Sequence, residues 1–441
     1  MVFYEYIIHG FHTKGTIKHM TNTVLHGNAI VGQSGGPTAA INATLAGVIR
    51  GVLNEQKEGG RIPHLYGMRN GVDGFLREDI IELDSIFAPD ESGNYTALDT
   101  LTLTPAAALG SCRRKLPAPG APDEAEVMDK LFTILKKYDV RYFFYIGGND
   151  SMDTVAKVSA YAEKIGYPIR VVGVPKTIDN DLVGTDHTPG FGSAAKYIAV
   201  TMQEILRDTA VYTVPAVTIV EIMGRDAGWL TASSALGRIV GGIAPDLVYL
   251  PERPFSHEEF FEDVQAALNT HPNVVVAVSE GLQCADGSYV GEGTQSGAVD
   301  VFGHRYLAGT AKALELAVKD KFGCKVRSVE LNLPQRCAAH LVSAQDIEES
   351  LEVGRSAVVA ALSGVTREMM TIRRLSDEPY TFEVGHEDIR KIANMTRSVP
   401  AGFISERGNN VTDECLAYLL PLIRGERYPV FDRGLPVHWI F

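Results

Sequence analysis

Short, continuous apolar runs alternate with helical patterns along most of this chain. The runs include NAIVG, VRYFFYIGG, IRVVGVP, VTIVEIMG, NVVVAVSEG and KVRSVELN, and stretches such as SMDTVAKVSAYAEKIG between them have helical spacing. A strand that is apolar throughout needs cover on both faces of its sheet, and parallel sheets flanked by helices provide that cover. The pattern therefore predicts an α/β protein with doubly wound parallel sheets.

Length, charge and cysteine spacing limit the classes of function. A chain of 441 residues is long enough for two domains. Its net charge of −13 leaves no basic excess for a nucleic-acid backbone, although a few local cations are enough to bind a small anion. The five cysteines show no CxxC spacing, so the sequence predicts neither a zinc site nor a disulfide framework.

The first residues carry no recognisable targeting signal. Residues 1–27 lack the charged start, apolar middle and cleavage site of a signal peptide, and they show no clear periodicity. No apolar run approaches the length that spans a membrane. We predict a cytoplasmic protein without nucleic-acid or membrane partners, in which residues 1–27 form a loose N-terminal extension.

Polar, glycine-rich sequences follow several of the predicted strands. NAIVG continues into QSGG, which contains Gly35, and YFFYI continues into GGNDS at residues 147–151. In open parallel sheets, ligands bind beyond the carboxyl ends of the strands. A single Gly-Gly turn most often marks only a sharp bend between a strand and a helix. Two such turns, each opening a helix, fit a phosphate group better, because backbone N–H groups and the positive end of a helix favour an anion.

The stretch VVGVPKTIDNDLVG places charged side chains directly after an apolar strand. Lys176 is followed by Asp179 and Asp181, which lie two residues apart and would point to the same side of an extended segment. A helix cap or an Asx turn is the structural alternative for such aspartates. The lysine favours chemistry, because cations hold a phosphoryl group while one carboxylate accepts a proton from the attacking hydroxyl.

Arginines and histidines give weaker signals. Arg225 follows a strand in MGRDAGW, which favours a place in a site. Arg113, Arg327 and Arg336 taken alone are also compatible with surface charges. The histidines lack the spacing of metal ligands, and His187 among them is interpreted as structural.

Seven motifs in one order identify a family resemblance. They are SGGPTAAINA, GSCRR, GGNDS, PKTIDND, MGRDAGW, SEG and PQR. Together they resemble the phosphofructokinase family from about Asn28 to beyond Arg336. The resemblance implies two α/β domains with the active site in the cleft between them. Residues 28–190, completed by 337–441, would bind the phosphoryl donor, and residues 191–336 would bind fructose 6-phosphate.

The resemblance also implies a set of catalytic residues. Asp179 would be the general base on the C1 hydroxyl of the sugar, with Asp181 assisting. Lys176 and Arg225 would neutralise charge during the transfer, and Arg113 would do the same on the transferring phosphoryl group. The enzyme would depend on Mg²⁺ and form a homodimer or homotetramer.

Two sets of binding residues follow from the same resemblance. The phosphoryl donor would be bound by Gly35 through its backbone N–H and by Arg113, Asp150 and Lys176. Fructose 6-phosphate would be bound by Thr177, Met223, Gly224, Arg225, Glu280, Arg336 and, in this family often from a neighbouring subunit, Arg327.

Two side chains indicate which donor is used. The resemblance implies that ATP-using members carry glycine where this chain has Asp150 and Lys176, and that GGNDS and PKTIDND are typical of members that use pyrophosphate. Asp150 would oppose the α-phosphate of a nucleotide. Two like charges about 4 Å apart cost roughly 4 kcal/mol at an effective dielectric constant of about 20, roughly a thousandfold in affinity. We therefore predict reversible phosphoryl transfer from pyrophosphate to fructose 6-phosphate, giving fructose 1,6-bisphosphate and phosphate.

Several positions depart from the family pattern. Asn149 stands where the family usually has an aspartate that helps to hold Mg²⁺, and we hypothesise that it contributes through its amide oxygen or a water molecule. Pro37 replaces an acidic residue, Leu333 replaces a histidine, and Ala216 replaces an arginine of many bacterial ATP-using members.

Three alternatives remain at this point. An ATP-dependent phosphofructokinase would carry glycine at positions 150 and 176, and this chain does not. A non-catalytic regulatory subunit of the same family is favoured only by Asn149. A dinucleotide-binding dehydrogenase is disfavoured because no GxGxxG follows the first strand.

Overall fold

The computed structural model describes residues 24–292 and 309–441. Most of the predicted N-terminal extension, 1–27, therefore lies outside the described residues. So does the first part of the helix that was predicted from FGHRYLAGTAKALELAVKDKFG.

Strands occur at each of the six predicted apolar runs, and further short strands, those at Leu65–Met68, Ile80–Glu82 and Leu247–Tyr249 among them, were not predicted. Their bounds in chain order are β1 Asn28–Gln33, β2 Leu65–Met68, β3 Ile80–Glu82, β4 Val140–Gly147, β5 Arg170–Pro175, β6 Ala216–Ile222, β7 Leu247–Tyr249, β8 Asn273–Ser279, β9 Lys325–Glu330, β10 Glu368–Asp377, β11 Tyr380–Asp388, β12 Phe431–Asp432 and β13 Leu435–Pro436.

Helices connect most of these strands and cover the sheets. Their bounds are α1 Ile41–Glu58, α2 Gly71–Phe75, α3 Thr96–Thr102, α4 Glu124–Lys137, α5 Asn149–Lys164, α6 Phe191–Thr209, α7 Trp229–Ser233, α8 His257–Leu268, α9 Thr310–Phe322, α10 Pro334–Cys337, α11 Ala344–Ser363 and α12 Asp413–Leu419. Within the described ranges, none of them is both long enough and apolar enough to span a membrane.

The first sheet has the order β11-β10-β5-β4-β1-β2-β3. The central pairs are parallel, as predicted, and β4 and β5 are almost completely buried. The two edge pairs, β2 with β3 and β10 with β11, are antiparallel, which the prediction of a purely parallel sheet missed. Because only two residues join β10 to β11, the chain reverses there and the pair becomes a hairpin.

The second sheet has the order β7-β8-β6-β9, and all of its pairs are parallel. In both sheets the chain adds strands on one side of the first strand and then crosses to the other side, between β1 and β4 and between β6 and β9. Ligands bind at such switch points, beyond the carboxyl ends of the strands. The predicted α/β fold with two wound sheets is confirmed.

The carboxyl-terminal region is shared between the two sheets. Val353 and Met370 lie in the core of the first sheet, as the predicted completion of the donor domain by 337–441 requires. In contrast, Val399 and Leu422 pack in the core of the second sheet with Trp229. Part of the carboxyl-terminal region therefore packs with α6 and α7 in the second sheet's core, and the domain boundary itself stays a prediction.

Candidate active site

The turn after β1 forms one wall of the site. Gly35 has a φ of 77°, in the left-handed region that favours glycine. A Cβ atom at Gly35 would lie 3.5 Å from Lys176 Nζ, and one at Gly36 would lie 3.6 Å from Arg336 Nη1. These distances are ordinary contacts, so the φ of Gly35 rather than a lack of space favours glycine there, and Lys176 and Arg336 lie beside the turn.

The backbone N–H of Gly35 has an acceptor within the chain. It donates to the carbonyl oxygen of Cys112 at 3.1 Å, and Ser111 Oγ donates to the carbonyl oxygen of Gly35 at 2.6 Å. The binding of the phosphoryl donor by this N–H stays a prediction. The contacts tie the GSCRR loop, and with it Arg113, to the turn.

Lys176 reaches this turn from the end of β5. Its side chain is only 2% exposed, and its Nζ donates to the carbonyl oxygen of Gly36. Its backbone N–H donates to the carbonyl oxygen of Gly147 at 3.0 Å, at the end of β4. Burial, assisted by the charges of Arg336 and Arg113 and opposed by those of Asp179 and Asp181, lowers the pKa of Lys176 to about 8.

Arg336 belongs to the same cationic cluster. Burial lowers the pKa of its guanidinium, and the charge of Arg113 lowers it further. Lys176, Arg113 and Arg336 thus gather like charges beside a glycine turn at the switch point of the first sheet. Such a concentration of positive charge is suited to an anion that carries several charges.

The two aspartates lie on a bend after Lys176. Thr177 Oγ1 accepts the backbone N–H of Asp179 at 3.1 Å, and Asn180 between the aspartates has a φ of 54°. The spacing of the aspartates had suggested an extended segment, but the segment is bent. The hydroxyl of Thr177 stabilises the turn. Asp179 and Asp181 are both half-buried.

Burial and proximity make this pair of carboxyl groups unusually basic. Burial raises the pKa of Asp179, whereas Lys176, Thr177 and Arg225 lower it. Burial and the charge of Asp179 raise the pKa of Asp181 to about 7. Carboxylates that hold a proton more tightly than usual are suited to accept one from a hydroxyl group.

The ends of the strands in the second sheet form the facing wall. The backbone N–H of Gly224 donates to Glu280 Oε1 at 3.3 Å, and the N–H of Met223 donates to Gln335 Oε1 at 3.2 Å. Burial, opposed by the hydrogen bond from Gly224 and assisted by the charge of Asp179, raises the pKa of Glu280 to about 8. The charge of Arg225 lowers the pKa of both Asp179 and Glu280, which places Arg225 close to the two predicted sites.

Asn149 and Asp150 lie where the chain turns from β4 into α5, a place that we call the donor turn, and they make contacts that the sequence did not predict. Asp150 forms an ion pair with Lys115 at 3.3 Å. Asn149 Oδ1 accepts the backbone N–H of Asn394 at 2.7 Å, and Asn149 Nδ2 donates to the carbonyl oxygen of Met395 at 2.8 Å. The amide of Asn149 is therefore engaged on both sides by a segment that is distant in sequence, which argues against its predicted role as a metal ligand.

Arg327 is separate from the cluster. It lies within β9, is half exposed, and approaches Asp208 at 3.9 Å. Its predicted contact with the sugar phosphate is not made by the described chain alone, so the role of Arg327 from a neighbouring subunit remains a prediction.

Another group of side chains could share an ion, but it lies elsewhere. Among the described residues, His64, Glu82 and Asp84 bring ligand atoms within 4.8 Å of one another. His64 immediately precedes β2, so this group lies at the amino end of that strand, opposite to the carboxyl ends that carry the cluster. It is an exposed set of ion pairs with no connection to the candidate site.

The sequence analysis missed three residues that support the site. Gln335 lies within the PQR motif, and Lys115 follows directly after GSCRR, so both could have been found from their neighbours. Arg397 belongs to no recognised motif, and its contacts with the aspartate bend are described below.

Comparisons with known proteins show which family the chain is similar to. The sequence pattern of the phosphofructokinase family matches residues 28–338. A pyrophosphate–fructose 6-phosphate 1-phosphotransferase of Halomonas elongata is 41% identical over 93% of this chain and 94% of that protein. A protein of the same name from Methylococcus capsulatus is 40% identical over 93% of this chain and 94% of that protein.

A solved structure is similar over nearly its whole length. The crystal structure of a pyrophosphate-dependent phosphofructokinase from Nitrosospira multiformis superposes with a TM-score of 0.82 and 37% sequence identity. The superposition covers 94% of this chain and 96% of that chain.

Proposed function

Because this chain belongs to the phosphofructokinase family, we propose that it transfers a phosphoryl group reversibly from pyrophosphate to the C1 hydroxyl of fructose 6-phosphate. The products are fructose 1,6-bisphosphate and phosphate. The observation that carries this proposal is the buried ammonium of Lys176, which lies against the glycine turn after β1, beside Arg336 and next to the bend of Asp179.

The transfer step uses two groups of side chains. Asp179 accepts the proton of the C1 hydroxyl while the C1 oxygen forms a bond to the terminal phosphorus of pyrophosphate. The P–O–P bond breaks, and inorganic phosphate leaves with the electron pair. Lys176, Arg113 and Arg225 stabilise the charge on the transferring group, and this positioning and electrostatic stabilisation supply most of the catalysis in phosphoryl transfer.

Mg²⁺ fits this site through the aspartates better than through Asn149. The charge of Asp179 raises the pKa of Asp181, which means that the two half-buried carboxylates repel each other. A divalent cation bound between them would relieve this repulsion. Magnesium is commonly held by one or two carboxylates together with substrate phosphates. Asp181, with Asp179, would hold it, and when bound it would neutralise charge on pyrophosphate.

The donor is selected near Asp150 and Lys176. Asp150 has Lys115 as its partner at 3.3 Å and is partly exposed, so its repulsion of a nucleotide α-phosphate is weaker than for an isolated buried pair. Lys176 acts in the other direction, because a buried cation favours a small donor whose charge is concentrated. The homo-oligomeric state and the cytoplasmic location remain predictions.

The donor assay tests this function directly. The purified chain with Mg²⁺ is given fructose 6-phosphate and either pyrophosphate or ATP, and formation of the bisphosphate is measured. We expect the rate with pyrophosphate to exceed the rate with ATP by at least about a hundredfold, which corresponds to about 2.7 kcal/mol. Comparable rates with ATP would contradict the donor assignment, and no rate with either donor would favour a regulatory subunit.

The pH dependence of the reaction is expected to reflect Lys176. Its pKa is lowered to about 8, so the lysine loses its proton and its charge as the pH rises through that value. Therefore kcat/KM for pyrophosphate should decline above about pH 8. In Lys176→Arg the cation persists to much higher pH, and the decline should move upward even if the absolute rate is lower.

The Lys176→Arg comparison separates the protein from its substrate. Pyrophosphate titrates identically with both proteins, so a difference between the two pH profiles belongs to residue 176. Superimposable profiles for the two proteins would contradict the assignment.

A further inference from the structure

Residues 394–399, which we call the clasp segment, lie against the aspartate bend. The segment follows β11 and contacts three loops that contribute predicted active-site residues. No motif in the sequence marks it, and its contacts with Asn149 and Glu252 join residues 246 and 147 positions apart along the chain.

Arg397 holds the aspartate bend from behind. Its backbone N–H donates to the carbonyl oxygen of Asp181 at 2.7 Å. Its guanidinium donates to the carbonyl oxygens of Asn180 at 3.3 Å and of Thr185 at 3.1 Å, and also to that of Asp186. One side chain therefore fixes the carbonyl groups on both sides of the loop that carries the catalytic aspartates.

The same arginine contacts the loop that carries Arg225. The indole Nε1 of Trp229 donates to the carbonyl oxygen of Arg397 at 3.2 Å, and the guanidinium lies 4.7 Å from the centroid of the Trp229 ring. Glu252 Oε1 accepts the backbone N–H of Gly228 and that of Val399, both at 2.8 Å. The clasp segment is thus joined to residues 228–229, three and four residues after Arg225.

The other end of the clasp segment is joined to the donor turn. Asn149 accepts the N–H of Asn394 and donates to the carbonyl oxygen of Met395, so both sides of its amide are used. An aspartate at position 149 could accept the first hydrogen bond but could not donate the second. This pair of contacts gives Asn149 a physical reason to differ from the aspartate that the family pattern has there.

We propose that the clasp segment holds the donor turn, the aspartate bend and the Arg225 loop in register, and that Arg397 is a positioning residue for the transfer of the phosphoryl group. The proposal rests on the function proposed above. Arg397 acts through the backbone of the bend and touches neither the donor nor the sugar. Its loss should therefore disturb the alignment of the base with the phosphoryl group more than the binding of either substrate.

The kinetic test replaces Arg397 by methionine and by lysine. A misplacement of about 1 Å in a reacting group can cost about a hundredfold in rate, so we expect Arg397→Met to lower kcat by about that factor with little change in either KM. Arg397→Lys keeps a charge but lacks the planar fork that reaches several carbonyl groups, and it should restore only part of kcat.

Arg238→Met is the matched control. Arg238 also joins distant segments, because it donates to Asp413 at 3.0 Å and to Asn410 at 3.0 Å, but it contacts none of the three loops. We expect its loss to lower stability without lowering kcat. A wild-type kcat in Arg397→Met, or an equal loss of kcat in both methionine variants, would overturn the proposal.

Amide hydrogen exchange provides a readout that does not depend on activity. In Arg397→Met, exchange should accelerate in residues 177–186 and 225–229, and in Arg238→Met those residues should exchange as in the wild-type protein. Unchanged exchange at these loops in Arg397→Met would overturn the clasp. If the wild-type protein fails to use pyrophosphate, the proposed function is wrong. Amide hydrogen exchange then still tests whether the clasp segment holds these loops in place. If Arg397→Met does not fold, the same criteria apply to Arg397→Lys.

Discussion

Replacing Asp179 by asparagine should lower kcat for phosphorylation of fructose 6-phosphate by about 10²- to 10⁴-fold, the usual contribution of a positioned general base. Asparagine has nearly the same shape, and its backbone N–H can still donate to Thr177 Oγ1, so the bend should persist. The amide cannot accept a proton from the C1 hydroxyl. The loss should therefore appear in kcat, measured with both substrates saturating, while the melting temperature stays near that of the wild-type protein.

Asp226→Asn is the control for the charge that this substitution removes. Asp226 is an exposed carboxylate whose charge raises the pKa of Asp179 and of Asp181, so it lies near the same site. Its substitution removes one negative charge without removing the base, and we expect kcat to change less than about tenfold. Equal losses in the two variants would mean that Asp179 acts only through its charge, and the role of general base would be abandoned.

The parts of this molecule that could be predicted from sequence are those where local chemistry is visible along the chain. Apolar strands that end in glycine and charged residues place Gly35, Lys176 and Arg225 at carboxyl ends, and parallel strands bring those ends together. The order of the seven motifs indicated the phosphofructokinase family. Burial of Lys176 among other cations could not be predicted, because it depends on where Arg336 returns to the first sheet.

Backbone contacts account for most of what the sequence did not reveal. The N–H of Gly35 donates a hydrogen bond to the carbonyl oxygen of Cys112. Both are backbone groups, so a pattern of side chains does not reveal the contact. Arg397 also binds mainly carbonyl oxygens. Two of them belong to Asn180 and Thr185, which lie 217 and 212 residues before it in the chain. Contacts of this kind place few demands on the identity of the partner residue, so a single sequence does not show them.

Lys176→Met should lower kcat/KM for pyrophosphate by about 10²- to 10³-fold, since truncating one partner of a buried, hydrogen-bonded charge pair costs about 2–5 kcal/mol. Methionine is similar in length and fills the buried space, but it carries no charge toward the donor and cannot donate to the carbonyl oxygen of Gly36. Arg113 and Arg336 remain, so some affinity for pyrophosphate should persist. The measurement is the dependence of the initial rate on pyrophosphate concentration at saturating fructose 6-phosphate.

Stability separates a functional from a structural role for this lysine. Its lowered pKa means that the folded protein disfavours the charged form, so the ammonium is held in place at a cost to folding at neutral pH. A neutral side chain removes that cost, and the melting temperature of Lys176→Met should stay close to the wild-type value or rise. Lys157→Met is the matched control, because Lys157 also donates to a carbonyl oxygen, that of Leu116 at 2.7 Å, and pairs with Asp153 on the same helix. We expect it to keep kcat/KM within about threefold. If Lys176→Met kept its activity and lost stability instead, the cation would serve the fold, and the donor site would have to be sought among Arg113 and Arg336 alone.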